Sequence, residues 1–172
     1  MDRKGGSMPK HHRRFTKGSQ PLLEDCDERD CFRVGSPNRN PLMLHKAAPW
    51  GSRYHGLGEP QPLYTSLTRA AAKREHERVL ERYGASTAGA KVALFELKFS
   101  GRVLNVVDED GQRRLQVTKD ELVDDDVELC NEIARFARSL GVDGILVPSA
   151  ARLGATNLVV IYESVPRTVQ LI

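Results

Sequence analysis

Apolar and polar positions along the chain change their period several times, and each change marks an element. Lys91–Phe99 (KVALFELKF) alternates, with Ala93, Phe95, Leu97 and Phe99 on one side and Val92, Leu94, Glu96 and Lys98 on the other. This predicts a strand with one strongly apolar face. Val103–Val107 predicts a second strand, closed by Asp108–Gly111. Gly144–Val147 (GILV) reads as a buried strand running into Pro148 and Ser149, Leu158–Glu163 (LVVIYE) as another, and Thr168–Ile172 as a short last one. Cys31–Val34 and Leu63–Ser66 are two further short strands. From Leu67 to about Tyr83 the chain holds strong helix formers and neither Gly nor Pro, with Ser66 or Thr68 as N-cap and Gly84 as the stop. Thr118-Lys119-Asp120-Glu121 fits a capping box at the start of a short helix. Leu129–Leu140 places Leu129, Ile133, Phe136, Ala137 and Leu140 on one helical face, and Gly141 suits the left-handed residue after its end. Strands outnumber helices without strict alternation, so the predicted class is α+β with helices flanking a sheet.

Three segments lack such periodicity. The first twenty residues carry Arg3, Lys4, Lys10, Arg13, Arg14 and Lys17 against Asp2, with Gly5, Gly6, Ser7, Pro9, Gly18 and Ser19 between them. They hold too little apolar surface to offset the entropy of ordering, which predicts a disordered basic arm over residues 1–22 and a single domain over residues 23–172. Leu22–Asp30 is acidic and transitional. Pro37–Pro62 is a long Pro-, Asn- and Gly-rich loop holding Trp50, Arg53, Tyr54 and His55. Structureless loops of that length inside a domain are uncommon and often functional.

Composition narrows the class. A chain of 172 residues with 40% hydrophobic and 28% charged residues suits one globular domain. The net charge of +3 is far below that of a histone-like protein, and no aromatic stripe accompanies it, so nucleic acid is disfavoured as a partner. No apolar run reaches the roughly 20 residues of a membrane span, so no membrane partner is expected. The charged start lacks the apolar stretch of a secretory signal, and the expected site of action is the cytoplasm. Cys26, Cys31 and Cys130 are an odd set without compact ligand spacing, read as reduced thiols, and no metal is expected.

The chain carries no phosphate loop, dinucleotide fingerprint, zincin helix or nucleophile elbow. What it does carry is an ordered series of short blocks: Phe32-Arg33-Val34, Gly51-Ser52-Arg53-Tyr54, Pro62-Leu63-Tyr64-Thr65-Ser66, a helix with Glu75 eleven positions after Tyr64, Val147-Pro148-Ser149-Ala150 and Asn157-Leu158-Val159. In block order and spacing the stretch from about Cys31 to Ile172 resembles the RES-domain family, named for separated Arg, Glu and Ser residues. The resemblance implies an ADP-ribosyltransferase-like fold, a split and curved β-sheet pair that holds NAD in a central cleft. It implies attack on the nicotinamide–ribose bond of NAD by hydrolysis, phosphorolysis or ADP-ribosyl transfer. Its toxins pair with an antitoxin, so a cognate antitoxin or immunity protein is expected, with a homo-oligomer left open. Three features depart from the pattern, the first being an Arg53-to-Tyr64 spacing one residue too long. His55 stands where Asn is common, and Glu77 and Glu81 leave open which carboxylate faces the cleft.

The chemistry of that bond suits these residue types. Its cleavage builds oxocarbenium character on the ribose, which a carboxylate stabilises; Glu75 is the candidate. The diphosphate calls for a planar, permanently charged guanidinium, assigned to Arg53 with Arg33 in support. Tyr54 and Tyr64 offer flat walls for nicotinamide and adenine. Ser149, directly after a strand and a Pro, is assigned to orientation rather than nucleophilic attack, because no His–Asp pair stands ready to activate it, and Asn157 joins the NAD-binding set. Two other classes stand beside this reading. One is a nucleic-acid-binding or RNA-cleaving protein led by the basic arm; the other is a non-catalytic interaction domain with the same fold.

Overall fold

A computed structural model describes residues 15, 19–84, 89 and 91–172. Most of the predicted basic arm, on which the nucleic-acid reading rests, lies outside the described residues. Phe15 packs its ring on Phe136 at 5.5 Å, and residues 20–22 join the domain through hydrogen bonds from Arg114 Nη1 to Gln20 O and from Asn105 N to Leu22 O.

Six strands form one sheet in the order β1 (Leu23–Gly35), β2 (Leu63–Ser66), β5 (Thr156–Val160), β4 (Gly144–Pro148), β3 (Ala93–Asn105) and β6 (Val169–Leu171). β1 also pairs antiparallel with β3 along nearly its whole length, so five of the strands close on themselves in a barrel-like ring. The seam between β1 and β2 is narrow, a single register pair at Phe32 and Ser66. Only β3 and β4 run parallel. A parallel pair needs a long crossover, here supplied by α2 (Glu109–Leu115), α3 (Lys119–Val123) and α4 (Glu128–Leu140). The expected α+β class with flanking helices is what forms.

Side chains alternate across the strands and divide the interior in two. Leu146, Leu158 and Val160 join Cys31, Leu63, Leu97, Phe99 and Val169 in one cluster fed by all six strands. Their neighbours Ile145, Val147 and Val159 join Leu122, Cys130, Ile133, Phe136 and Ala137, where α3 and α4 cover the sheet.

The structure revises several sequence expectations. The acidic Leu22–Asp30 segment is largely strand, because its backbone pairs with β3 while its charged side chains face water. The alternation there is broken by a bulge between Cys26 and Arg29, where Glu28 adopts φ 46° and its N–H donates to Ser100 Oγ. The two strands expected at Lys91–Phe99 and Val103–Val107 are one, since Ser100-Gly101 continues the ladder against Cys26. Asp108–Gly111 opens a helix rather than a turn, with Glu109 and Asp110 in its first turn. Gly111 is required there, because a Cβ would lie 2.1 Å from Asn105 O. The expected Leu158–Glu163 strand ends at Val160, and Tyr162–Ser164 forms a 3₁₀ turn leading into α5 (Val165–Thr168).

The helix read over residues 67–83 is α1 (Arg69–Arg82), capped by Thr68, whose hydroxyl accepts from Ala71 N at 3.1 Å. The Thr118 capping box and the left-handed Gly141 after α4 also form. Pro37–Pro62 remains a loop, with one isolated bridge between Ser52 and His55.

Candidate functional site

A cavity of about 650 Å³ opens between α1, the β2–β5 face and the long loop. Its walls include Arg33, Arg53, Tyr54, Tyr64, Glu75 and Asn157, brought together from across the chain. Ser149 is 5% exposed and sits behind the wall, reaching the cavity through its bond to Glu75.

The polar centre follows from strand register. Antiparallel pairing sets Ser66 opposite Asn157 and Tyr64 opposite Val159, and α1 begins three residues after β2 and carries Glu75 back over that face. Glu75 Oε1 accepts from Ser149 Oγ and from Asn157 Nδ2, each at 2.6 Å. Asn157 Oδ1 in turn accepts from Ser66 Oγ at 2.7 Å. The carboxylate only accepts, so the Asn157 amide must turn its N–H₂ toward it, and Ser66 holds the other end. Ser149 Oγ also accepts from Ala151 N at 3.2 Å and Arg152 N at 3.0 Å. Its one proton is therefore directed at Glu75. Glu77 and Glu81 face away and pair with Arg74 on the exposed side of α1, so Glu75 is the carboxylate that enters the cleft.

The opposite wall is aromatic and cationic. Tyr64 accepts the Tyr54 N–H at 3.1 Å, and its hydroxyl lies 2.8 Å from His55 Nδ1. The hydroxyl is thus engaged by the loop, leaving the ring to the cavity. Burial pushes both the Tyr54 and the Tyr64 phenols above their ordinary range, so neither ionises near neutrality. Burial lowers the His55 imidazole, only partly opposed by the Glu59 carboxylate.

The two arginines differ. Arg53 donates Nη1 to Leu122 O at 3.1 Å and to Asp124 O at 2.6 Å, which makes part of its guanidinium a clamp onto the C-terminal end of α3. Arg33 lies on the wall with a buried Nη1 that has no protein partner, and burial lowers its pKa from the ordinary value. The sequence reading ranked Arg53 first as the phosphate cation, but Arg33 holds the uncommitted donor. That reading also saw Ser66 only as a helix cap; the β2–β5 register reveals its part in holding Asn157. Asn131, a buried Asn in a helix with a strong apolar face, places its Nδ2 within hydrogen-bond distance of Ser52 O and Arg53 O, a link between α4 and the loop that no short motif marks.

All three cysteines are buried free thiols, and among the described residues no group of three His, Cys, Asp or Glu side chains is placed to hold a metal. Among those residues no helix is long and apolar enough to cross a membrane.

A carboxylate held by two donors thus shares a cavity of about 650 Å³ with aromatic rings and guanidinium groups. Residues 30–172 match the model of the RES domain, and the chain belongs to that family. A protein of Mycobacterium tuberculosis (strain ATCC 25618 / H37Rv), named a probable NAD(+) phosphorylase, is 29% identical over 131 residues, covering 76% of this chain and 63% of its own length. This chain thus spans somewhat under two thirds of that relative. The crystal structure of the M. tuberculosis MbcT–MbcA toxin–antitoxin complex is similar with a TM-score of 0.70 at 24% identity, covering 88% of this chain and 82% of the matched one. At that identity the likeness is one of fold.

Proposed function

We propose that this chain cleaves the nicotinamide–ribose bond of NAD as the toxin of a toxin–antitoxin pair, acting in the cytoplasm and restrained by a cognate antitoxin or immunity protein. The observation that carries the proposal is the Glu75 carboxylate, held at one oxygen by Ser149 and Asn157 on the wall of a cavity of about 650 Å³. The name of the M. tuberculosis relative and the fold shared with a toxin–antitoxin complex support it. The rolled sheet takes the ADP-ribosyltransferase-like part, with NAD in the cleft.

As the C1′–N bond breaks, its electron pair goes to the pyridinium nitrogen, and neutral nicotinamide leaves. The ribose becomes cationic, and Glu75 faces that charge while accepting from a ribose hydroxyl through its second oxygen. Ser149 and Asn157 keep the carboxylate from turning away. An acceptor oxygen then bonds C1′: water or a side-chain hydroxyl releases its proton to solvent, whereas phosphate bonds through an oxygen that carries none. Water as acceptor gives ADP-ribose, phosphate gives the 1″-phosphorylated product, and a protein side chain gives a modified target. Arg33 supplies free donors to the diphosphate, Arg53 adds its charge beside them, and Tyr54 and Tyr64 offer ring faces to the bases.

The test is mass analysis of products after incubating the purified chain with NAD, with and without phosphate. Nicotinamide release with a product mass that follows the acceptor is expected. Bound NAD without nicotinamide release under any acceptor would overturn the proposal in favour of a non-catalytic domain.

A further inference from the structure

Between Ser52 and Glu59 the loop's internal contacts are few: the Ser52–His55 bridge, a turn bond from Glu59 N to Gly56 O and the bond from Gly56 N to Glu59 Oε2. The far end of this segment is tied to the rest of the loop, where Ala48 N donates to Glu59 O at 2.9 Å and Gly58 N to Ala48 O at 2.8 Å, while Arg53 Nη1 reaches the end of α3 and Tyr54 N reaches Tyr64. α4 adds two side-chain ties to the same segment. Asn131 is 7% exposed, and its Nδ2 stands 2.9 Å from Ser52 O, 3.0 Å from Arg53 O and 2.9 Å from Val127 O. One turn further, Arg135 Nε donates to Glu59 Oε1 at 2.7 Å, pinning the far end of the same segment. These two residues share a face of α4, as positions i and i+4 do, so one helix grips both ends of the loop.

The two grips differ in weight. The Arg135–Glu59 pair has one half-exposed partner and is open to screening. Asn131 is buried, and removing it would leave the Arg53 carbonyl without that donor and the Ser52 carbonyl with only the 3.5 Å contact from His55 N. Those carbonyls belong to Ser52 and Arg53, and the next residue is Tyr54 on the cavity wall.

We propose that Asn131 is a positioning residue for the cleft, fixing the Ser52–Tyr54 backbone and through it the placement of the Arg53 and Tyr54 side chains toward the ligand. The inference rests on the NAD-cleaving reading for its kinetic consequence, but its structural half stands independently. The groups that hold Glu75 are Ser149, just after β4, and Asn157 on β5, and their bonds to it do not involve α4 side chains. Loss of Asn131 therefore loosens ligand binding and spares the chemical step.

Trp50 makes both halves measurable. It is the sole tryptophan, 40% exposed, two residues before Ser52 and on the cavity wall. In Asn131→Ala and the near-isosteric Asn131→Asp, the KM for NAD is expected to rise about tenfold with kcat within about twofold, because binding common to ground and transition states is what is lost. Acrylamide quenching of Trp50 in the absence of NAD should rise in both variants, a readout that needs no turnover. Arg135→Gln should change KM less than either. A folded Asn131→Ala with unchanged KM and unchanged Trp50 quenching would overturn the inference. So would unfolding of both Asn131 variants, since the residue would then serve the fold and not the cleft. If wild-type protein releases no nicotinamide while Trp50 quenching still rises in the variants, the NAD reading falls and the structural clasp stands.

Discussion

The two walls of the cleft are built on different physical principles. On one side Glu75, Ser149, Asn157 and Ser66 come from a helix, the end of one strand and two paired strands, and their hydrogen bonds run 2.6–2.7 Å from side chain to side chain. Register alone brings them together. On the other side Arg53, Tyr54 and His55 ride a loop of low intrinsic order, whose path is borrowed from α3 and α4 through Asn131, Arg135 and the Leu122 and Asp124 carbonyls. The first wall can hold an atom to a fraction of an ångström, as charge stabilisation in a transition state requires. The second can adapt, as the recognition of a large ligand tolerates. Changes in the first wall should fall on kcat and changes in the second on KM.

The largest expected effect is that of Glu75→Gln. The amide oxygen can still accept from Ser149 and Asn157, so the fold should hold, while the charge is gone. We expect a fall in kcat of about 10³-fold or more with little change in melting temperature. Turnover near the wild-type rate would break the comparison at its root. Next is Asn157→Ala, which frees one side of the carboxylate and leaves Ser66 without its acceptor. A loss of about 10–100-fold in kcat is expected, with Ser149→Ala behaving alike. Arg33 sharpens the contrast from outside the loop, since it lies on β1 yet is assigned to binding. Arg33→Met should raise the KM for NAD about tenfold while kcat moves little, because the cation binds charge already present in the ground state. A fall in kcat as large as that of Asn157→Ala would show that binding and charge stabilisation are not separable in this cleft.

This contrast also marks what the sequence could show. The blocks around Tyr64, Ser149 and Asn157 were legible because each lies in or just after a short periodic strand, and Glu75 because it lies within the capped helix that follows β2. Thr68, Thr118 and Gly141 were legible for the same reason: a cap is a local event. The barrel closure was not, since it depends on β1 continuing through an acidic stretch whose charged side chains point to water. There the backbone ladder with β3 overrode a pattern that reads as loop. Nor could the sequence divide the labour of Arg33 and Arg53. Both are arginines near aromatic residues, and only the carbonyls of Leu122 and Asp124, some seventy residues downstream of Arg53, reveal that one of them is partly spent on the scaffold.

The smallest expected effect separates the second wall's own parts. His55 is 1% exposed, with Nδ1 beside the Tyr64 hydroxyl, and burial holds its pKa below the ordinary value of 6.5. The folded chain therefore binds fewer protons than the unfolded chain as pH falls toward that range. The contribution of His55 to stability is complete above pH 6.5 and is lost as pH falls through the lowered folded value. Glu59 behaves similarly one step lower. Burial pushes its carboxyl up, but the Gly56 N–H and Arg135 outweigh this and leave it below 4.5. Its contribution persists down to that pH and is lost on further acidification. Trp50 quenching followed from pH 8 downward should thus show an upper step and a lower step. His55→Asn, which cannot take up a proton, should abolish the upper step and spare the lower, while Glu59→Gln should do the reverse. Loss of both steps in His55→Asn would show that the loop responds as one unit, with its two ends unable to release independently from α4.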